Sequence, residues 1–190
     1  MKTRILITVI FSLAYMLSFA QPNNEVIIND VKIKTTMSAH NSAGGRHFEF
    51  DIINLSSKTI KYITIRHIAF DNFFAPACCS IDNNSICSTK TTGPIEGHPE
   101  LLSVKKIPNR YIISRQTIDL HYNTAATQSR LLKCTIEFTD DTVIEYTNNE
   151  LFDYMFDRTY KMYIKEFPES QYSDDTINYI KQILLDKYFY

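Results

Sequence analysis

The chain contains no tryptophan and only four glycines in 190 residues. Two of the glycines are adjacent, at 44 and 45, and no glycine-rich phosphate loop is present. Gly-x-Ser-x-Gly, His-Glu-x-x-His and Cys-x-x-Cys are also missing, so the common hydrolase, zinc-protease and redox signatures do not apply. Neither charge sign dominates: 20 basic residues stand against 21 acidic ones, and the two are interspersed. A nucleic-acid backbone needs a basic stripe, so nucleic acid is not an expected partner. After the first 20 residues no segment approaches 18 uninterrupted apolar residues, so no membrane span is expected in the mature chain. No internal repeat or low-complexity linker is visible.

The features that are present begin at the amino terminus. Lys2 and Arg4 precede an uncharged, largely apolar run from Ile5 to Leu17, and Ser18 and Ala20 lie just beyond it. That order is the pattern of a secretory signal peptide over residues 1–20, with cleavage after Ala20. The run is too short to cross about 30 Å of hydrocarbon as an anchor. Position 21 is Gln, so the usual bacterial lipid attachment is not expected. The expected location is periplasmic or extracellular. Removing Lys2 and Arg4 leaves 18 basic residues against 21 acidic, a net charge of −3.

The rest of the chain divides into two parts. Residues 21–147 carry a period of two: Phe48, Phe50 and Ile52 alternate with His47, Glu49 and Asp51. Leu132, Cys134, Ile136 and Phe138 alternate with Lys133, Thr135 and Glu137. Alternation marks strands with one face in a core. Ile60 to Phe70 is apolar on both faces and reads as a central strand. Turn-forming clusters at Ser42–Gly45, Asn54–Ser57, Asp82–Ser85 and Thr139–Thr142 separate the runs. The spacing predicts an all-β, immunoglobulin-like antiparallel sandwich, with a small barrel as its rival. From Asn148 the period becomes helical, with apolar residues at 152, 155, 156, 160, 163 and 167. Pro168 ends that helix, and a second is predicted from about Ser173 with Ile177, Ile180, Ile183, Leu184 and Tyr188 on one side. Residues 148–190 therefore form a C-terminal α-helical appendage, a hairpin packed on the sandwich or projecting from it.

The segment Phe50-Asp-Ile-Ile-Asn-Leu-Ser-Ser-Lys-Thr-Ile-Lys-Tyr-Ile63 resembles a motif of small immunoglobulin-like or fibronectin type III-like domains of exported bacterial proteins. Thr92-Gly-Pro-Ile95 resembles their mid-domain turn, and Ile136 to Thr142 their final hairpin. The resemblance covers about 26–147. It implies a sandwich with an accessory or binding role and no catalytic residues. The chain departs from the pattern at Phe70–Ala77, at Asp140-Asp141 and in its helical tail. Asn54-Leu-Ser56 also matches a glycosylation acceptor, but a turn role for Asn54 is the simpler expectation.

Three of the four cysteines lie in Cys78-Cys79-Ser-Ile-Asp-Asn-Asn-Ser-Ile-Cys87, and the fourth is Cys134. Export favours disulfides, and the spacing does not match paired zinc ligands. A hairpin centred on Asn83 would face Cys79 to Cys87 and turn Cys78 away, toward Cys134. Cys79–Cys87 with Cys78–Cys134 is the favoured pairing. Cys78–Cys87 with Cys79–Cys134 is the alternative.

Chemistry-bearing residues are sparse. No catalytic residue, metal ligand set or cofactor site is expected. His47, Glu49 and His67 could share a sheet face, which would support an exported metal-dependent hydrolase as an alternative. Phe73 and Phe74 are adjacent in a loop, and two neighbours do not easily both face a strand core. They are the candidate binding residues, with one exposed as a contact; the alternative is that both tuck under the loop against the sandwich edge. The favoured reading is a non-catalytic binding or accessory module for an unknown protein or cell-surface ligand. A structural subunit assembling through strand edges or tail helices is a further alternative.

Overall fold

The computed structural model describes residues 24–81, 85–118, 120–168 and 173–189. The signal-peptide reading of residues 1–20, the turn centre at Asn83 and the link 169–172 lie outside these residues. Among the described residues the strands run in order: β1 (Glu25–Ile28), β2 (Val31–Met37), β3 (Gly45–Arg46), β4 (Phe48–Asn54), β5 (Ile60–Phe70), β6 (Ile86–Ile95), β7 (Ile113–Gln116), β8 (His121–Tyr122), β9 (Gln128–Phe138) and β10 (Val143–Thr147). They form one four-stranded sheet of order β1-β2-β4-β7, a second of order β10-β9-β5-β6, and a short β3-β8 ribbon. The paired strands are antiparallel.

The alternation in β4 sends Phe48, Phe50 and Ile52 inward and leaves Glu49 and Asp51 half-buried on the other face. Ile33, Phe50 and Ile52 of the first sheet meet Ile63, Ile65, Ile136 and Phe138 of the second. Each such side chain contributes roughly 1.5–3 kcal/mol by leaving water. These contacts form the core of a β-sandwich.

The long strands β5 and β9 do not stay in register. Arg66 lies opposite Lys133 and His67 opposite Leu131, so Leu132 has no partner. This bulge inserts one residue and reverses the facing of the residues beyond it. Strict alternation would place Leu132 beside Cys134. The bulge instead sends Leu132 to the outer face, where it joins Ile68 and Phe70. That apolar patch is covered by two helices, α1 (Asn149–Glu166) and α2 (Asp174–Leu184), the second continuing into a π-turn over Leu185–Phe189. Leu151, Met155, Ile180, Leu184 and Tyr188 supply the covering side chains. The tail therefore packs on the second sheet. Leu151 takes a buried place that the helical spacing did not assign it, while Phe167 and Ile183 stay partly exposed.

Asn148 fixes this junction. Its Oδ1 accepts from Leu151 N at 3.0 Å, its Nδ2 donates to Leu131 O at 2.9 Å, and its own N–H donates to Leu132 O at 2.9 Å. One buried side chain thus caps α1 and holds the bulge.

Asn54 has a similar role at the opposite end. Its Nδ2 donates to Lys58 O at 2.7 Å and Ile95 O at 3.0 Å, and its Oδ1 accepts from Ser56 Oγ at 2.7 Å. It is buried, as a glycan acceptor in the folded chain cannot be. Thr92–Ile95, which resembles a mid-domain turn, is instead the last part of β6. A Cβ on Gly93 would strike the Ile60 carbonyl, so only glycine allows β6 to run this close to β5. Asp140 and Asp141 form the β9–β10 turn, and Lys58 and Lys61 pair with them at 2.8 and 3.1 Å.

Candidate functional site

The loop from Asp71 to Ala77 leaves β5 at the edge of the helical tail. Asp71 Oδ1 accepts from Phe73 N and Ala75 N, both at 2.8 Å, and Asp71 N donates to Ala75 O at 3.0 Å. An Asp closing a turn on its own backbone needs no other support. Phe74 sits at φ +57°, a left-handed conformation that a bulky side chain avoids at a cost of roughly 1–2 kcal/mol. Burial offsets that cost: Phe74 is 1% exposed, stacks on Phe70 at 5.4 Å and meets the Tyr154 edge at 5.6 Å. The Arg130 guanidinium lies over the same ring at 4.8 Å.

Inverting the backbone at Phe74 points its neighbour the other way. Phe73 is 83% exposed. Its carbonyl accepts from Arg158 at 3.3 Å, and the Phe74 carbonyl accepts from the Tyr154 hydroxyl at 3.3 Å. The exposed ring is therefore carried by a backbone fixed from two sides, by Asp71 and by α1. Beside it, Tyr154, Asp157, Arg158 and Lys161 line a groove of roughly 190 Å³ on α1. The Asp157–Lys161 ion pair, 2.6 Å long and one turn apart, holds its far wall. The two candidate phenylalanines thus have separate tasks: Phe74 anchors and Phe73 is presented. The role of α1 in this site was not legible from its spacing. The motif that could have signalled it is the Tyr154/Arg158 pair, one helical turn apart.

The cysteines are dispersed rather than paired. No disulfide joins any of the four in the structure. Cys87 lies opposite His67, not Cys79, and packs beside Phe48, Ala69 and Ala77. Cys79 instead runs along β8, where its Sγ accepts from Tyr122 N at 3.4 Å. The expected hairpin facing of Cys79 and Cys87 is therefore absent among the described residues. Cys134 lies opposite Ile65. Ala77, the neighbour of Cys78, bonds instead to Ala69, four residues further along β5. Four strand residues span about 13 Å, so Cys78 and Cys134 lie beyond the roughly 7 Å that a disulfide bridges. Burial pushes the Cys134 thiol up to about 12, so it supplies no thiolate.

The histidine site does not assemble. Glu49 is on the outward side of β4, and His47 Nδ1 contacts Thr117 O at 2.7 Å. His67 points between the sheets, fully buried, with its ring 5.4 Å from Phe48 and 5.3 Å from Phe50. Burial lowers its pKa to about 3, so it is neutral. The bulge and the inward face of β5 separate it from the other two groups. His98 pairs with Glu100 at 3.0 Å and packs on Tyr111 at 4.6 Å, away from any larger cluster. Among the described residues no three His, Cys, Asp or Glu side chains converge as a metal site would require.

Comparison with protein-family models, with curated proteins and with solved structures finds no match. Among the described residues no helix is long and apolar enough to cross a membrane.

Proposed function

We propose that this chain is an exported, immunoglobulin-like binding module that engages a protein partner through Phe73 and the adjoining face of α1. The carrying observation is the pairing of an 83% exposed phenylalanine with a backbone held by Asp71, Tyr154 and Arg158. An aromatic residue whose backbone is held before contact has less entropy to lose on binding, which helps an interface anchor gain its strength. The groove beside it supplies charged rim groups of both signs, as a specific interface does.

The immunoglobulin-like assignment is supported by strand order. In that fold one sheet reads G-F-C-C′ and the other contains A-B-E. The orders β10-β9-β5-β6 and β2-β4-β7 correspond to these, with β1 added at the edge. Export is supported by the amino-terminal pattern of Lys2, Arg4 and the Ile5–Leu17 run. A non-catalytic role is supported by the enclosure of His67 away from Glu49.

The test compares the purified chain with Phe73→Ser for retention of proteins from the extracellular fraction of its source. The variant should keep its melting temperature and lose the retained partner. Equal retention by both proteins, or turnover of glycosides, esters or peptides that the variant also performs, would refute this reading.

A further inference from the structure

A second recessed surface lies on the opposite sheet, away from Phe73. The segment between β6 and β7 folds back over β4 and buries Leu101 against Ile53 and Leu55, with Ile107 and Ile112 packed beside them. It stops short of covering the sheet. Between it and strands β1, β2 and β4 remains a groove of roughly 380 Å³. Its floor is aliphatic, made by Ile53, Val104, Ile107 and Ile112. Its rim is basic, made by Lys32, Lys34, Lys105 and Lys106.

The charge is out of keeping with the molecule. The whole chain carries a net charge of −1, yet this groove gathers four lysines against two carboxylates, Glu25 and Asp51. Both carboxylates are engaged. Glu25 pairs with Lys32 at 2.7 Å, and Asp51 accepts from Ser114 Oγ at 2.5 Å. Lys34, Lys105 and Lys106 are exposed around the aliphatic floor. A surface with an apolar base and a surplus of positive charge complements one chemistry: an apolar body that ends in an anion.

We propose that this groove binds a medium-chain aliphatic carboxylate, its chain on Ile53, Ile107 and Ile112 and its carboxylate between Lys34 and the Lys105-Lys106 pair. The backbone argues for a small amphiphile over a peptide. The groove lies on the face of the sheet over β2 and β4, which are paired on both sides, so a peptide laid across it finds no unpaired backbone on those strands. The volume falls within the range of small-molecule pockets.

The experiment is an amide-resonance titration of the purified chain with decanoate below its micelle concentration, in parallel with decanol and acetate. Decanoate should give saturable shifts at Lys34, Ile53 and 105–107. Decanol and acetate, each lacking half of the chemistry, should bind at least tenfold more weakly. The double variant Lys105→Glu/Lys106→Glu should weaken decanoate at least tenfold with its melting temperature held. Raised salt should weaken decanoate as well, because the lysines are exposed. The proposal is overturned if decanoate gives no saturable shift, or if its shifts fall on Met162 and Phe167 of the tail instead. It is equally overturned if decanol matches decanoate or the charge-reversed variant binds unchanged. Phe73→Ser serves as the control and should bind decanoate normally, so failure here and failure of the Phe73 reading are distinguishable.

Discussion

Replacing His67 with leucine should flatten the pH dependence of stability, and the amount can be worked out. The ring is fully buried between Phe48 and Phe50, and its Nδ1 contacts Ser129 Oγ at 3.3 Å. None of these three neighbours offers negative charge. The folded pKa is about 3 against 6.5 for a free histidine, with burial as the cause. Between those values the unfolded chain binds a proton that the folded chain refuses. Stability from this group is therefore complete above the unfolded value and is lost as pH falls toward the folded one. The slope approaches RT ln 10 per pH unit, so from roughly pH 7 to pH 4.5 the loss is on the order of 2–3 kcal/mol. His67→Leu removes this contribution and keeps a side chain of similar bulk. The variant has its own offset from lost or gained packing, but an offset does not depend on pH. Urea unfolding monitored by far-ultraviolet circular dichroism at several pH values measures both proteins; tryptophan fluorescence is not an option here. The difference in stability between wild type and variant should change by an amount on the order of 2–3 kcal/mol across that range. Parallel curves would show that His67 is solvated or paired, and the enclosed placement would be wrong.

Further perturbations separate the other structural roles. Phe74→Ala should cost about 3–5 kcal/mol by emptying a site between Phe70 and Tyr154, whereas Phe73→Ser should leave thermal unfolding nearly unchanged. Asn54→Ala strips the Lys58 and Ile95 carbonyls of their donor and should cost about 2–4 kcal/mol in chemical denaturation; expression in a glycosylating host should add no glycan mass at Asn54. Gly93→Ala must push β6 away from Ile60 and should lower stability by about 1–3 kcal/mol in the same assay. Cys134, with its thiol raised to about 12, should resist alkylation at mildly alkaline pH until the chain is unfolded. For protein recovered from an oxidising compartment, non-reducing peptide mapping should leave Cys134 unpaired. A Cys78–Cys134 linkage would contradict the separation along β5.

Much of this molecule was legible in its residues because burial by face derives directly from period. Phe48-x-Phe-x-Ile52 specified a half-buried strand, and the same alternation in Ile136 and Phe138 specified its counterpart across the core. The change of period at Asn148 marked the start of the first helix, which Asn148 caps. Turn chemistry likewise explained Asn54 and Asp140 as residues that bond within their own turns. These features depend on neighbours a few residues away, and the chain carries that information by itself.

The tertiary structure decided whatever depends on register. One unmatched residue at Leu132 turned an apolar side chain from the sandwich interior to its outer face and completed the seat for α1 and α2. The inward face of β5 enclosed His67 away from Glu49, which an alternation pattern apolar on both sides could not specify. Separation along β5 parted Cys78 from Cys134, although each sits on a plausible strand face. The same holds for Phe73 and Phe74: the pair of letters leaves open whether one turns out or both tuck in, and the left-handed backbone at Phe74 with the reach of Tyr154 and Arg158 decides it. Periodicity records which face a residue occupies relative to its near neighbours. Which faces meet, and which side chain is left in water, is fixed only when distant segments pack.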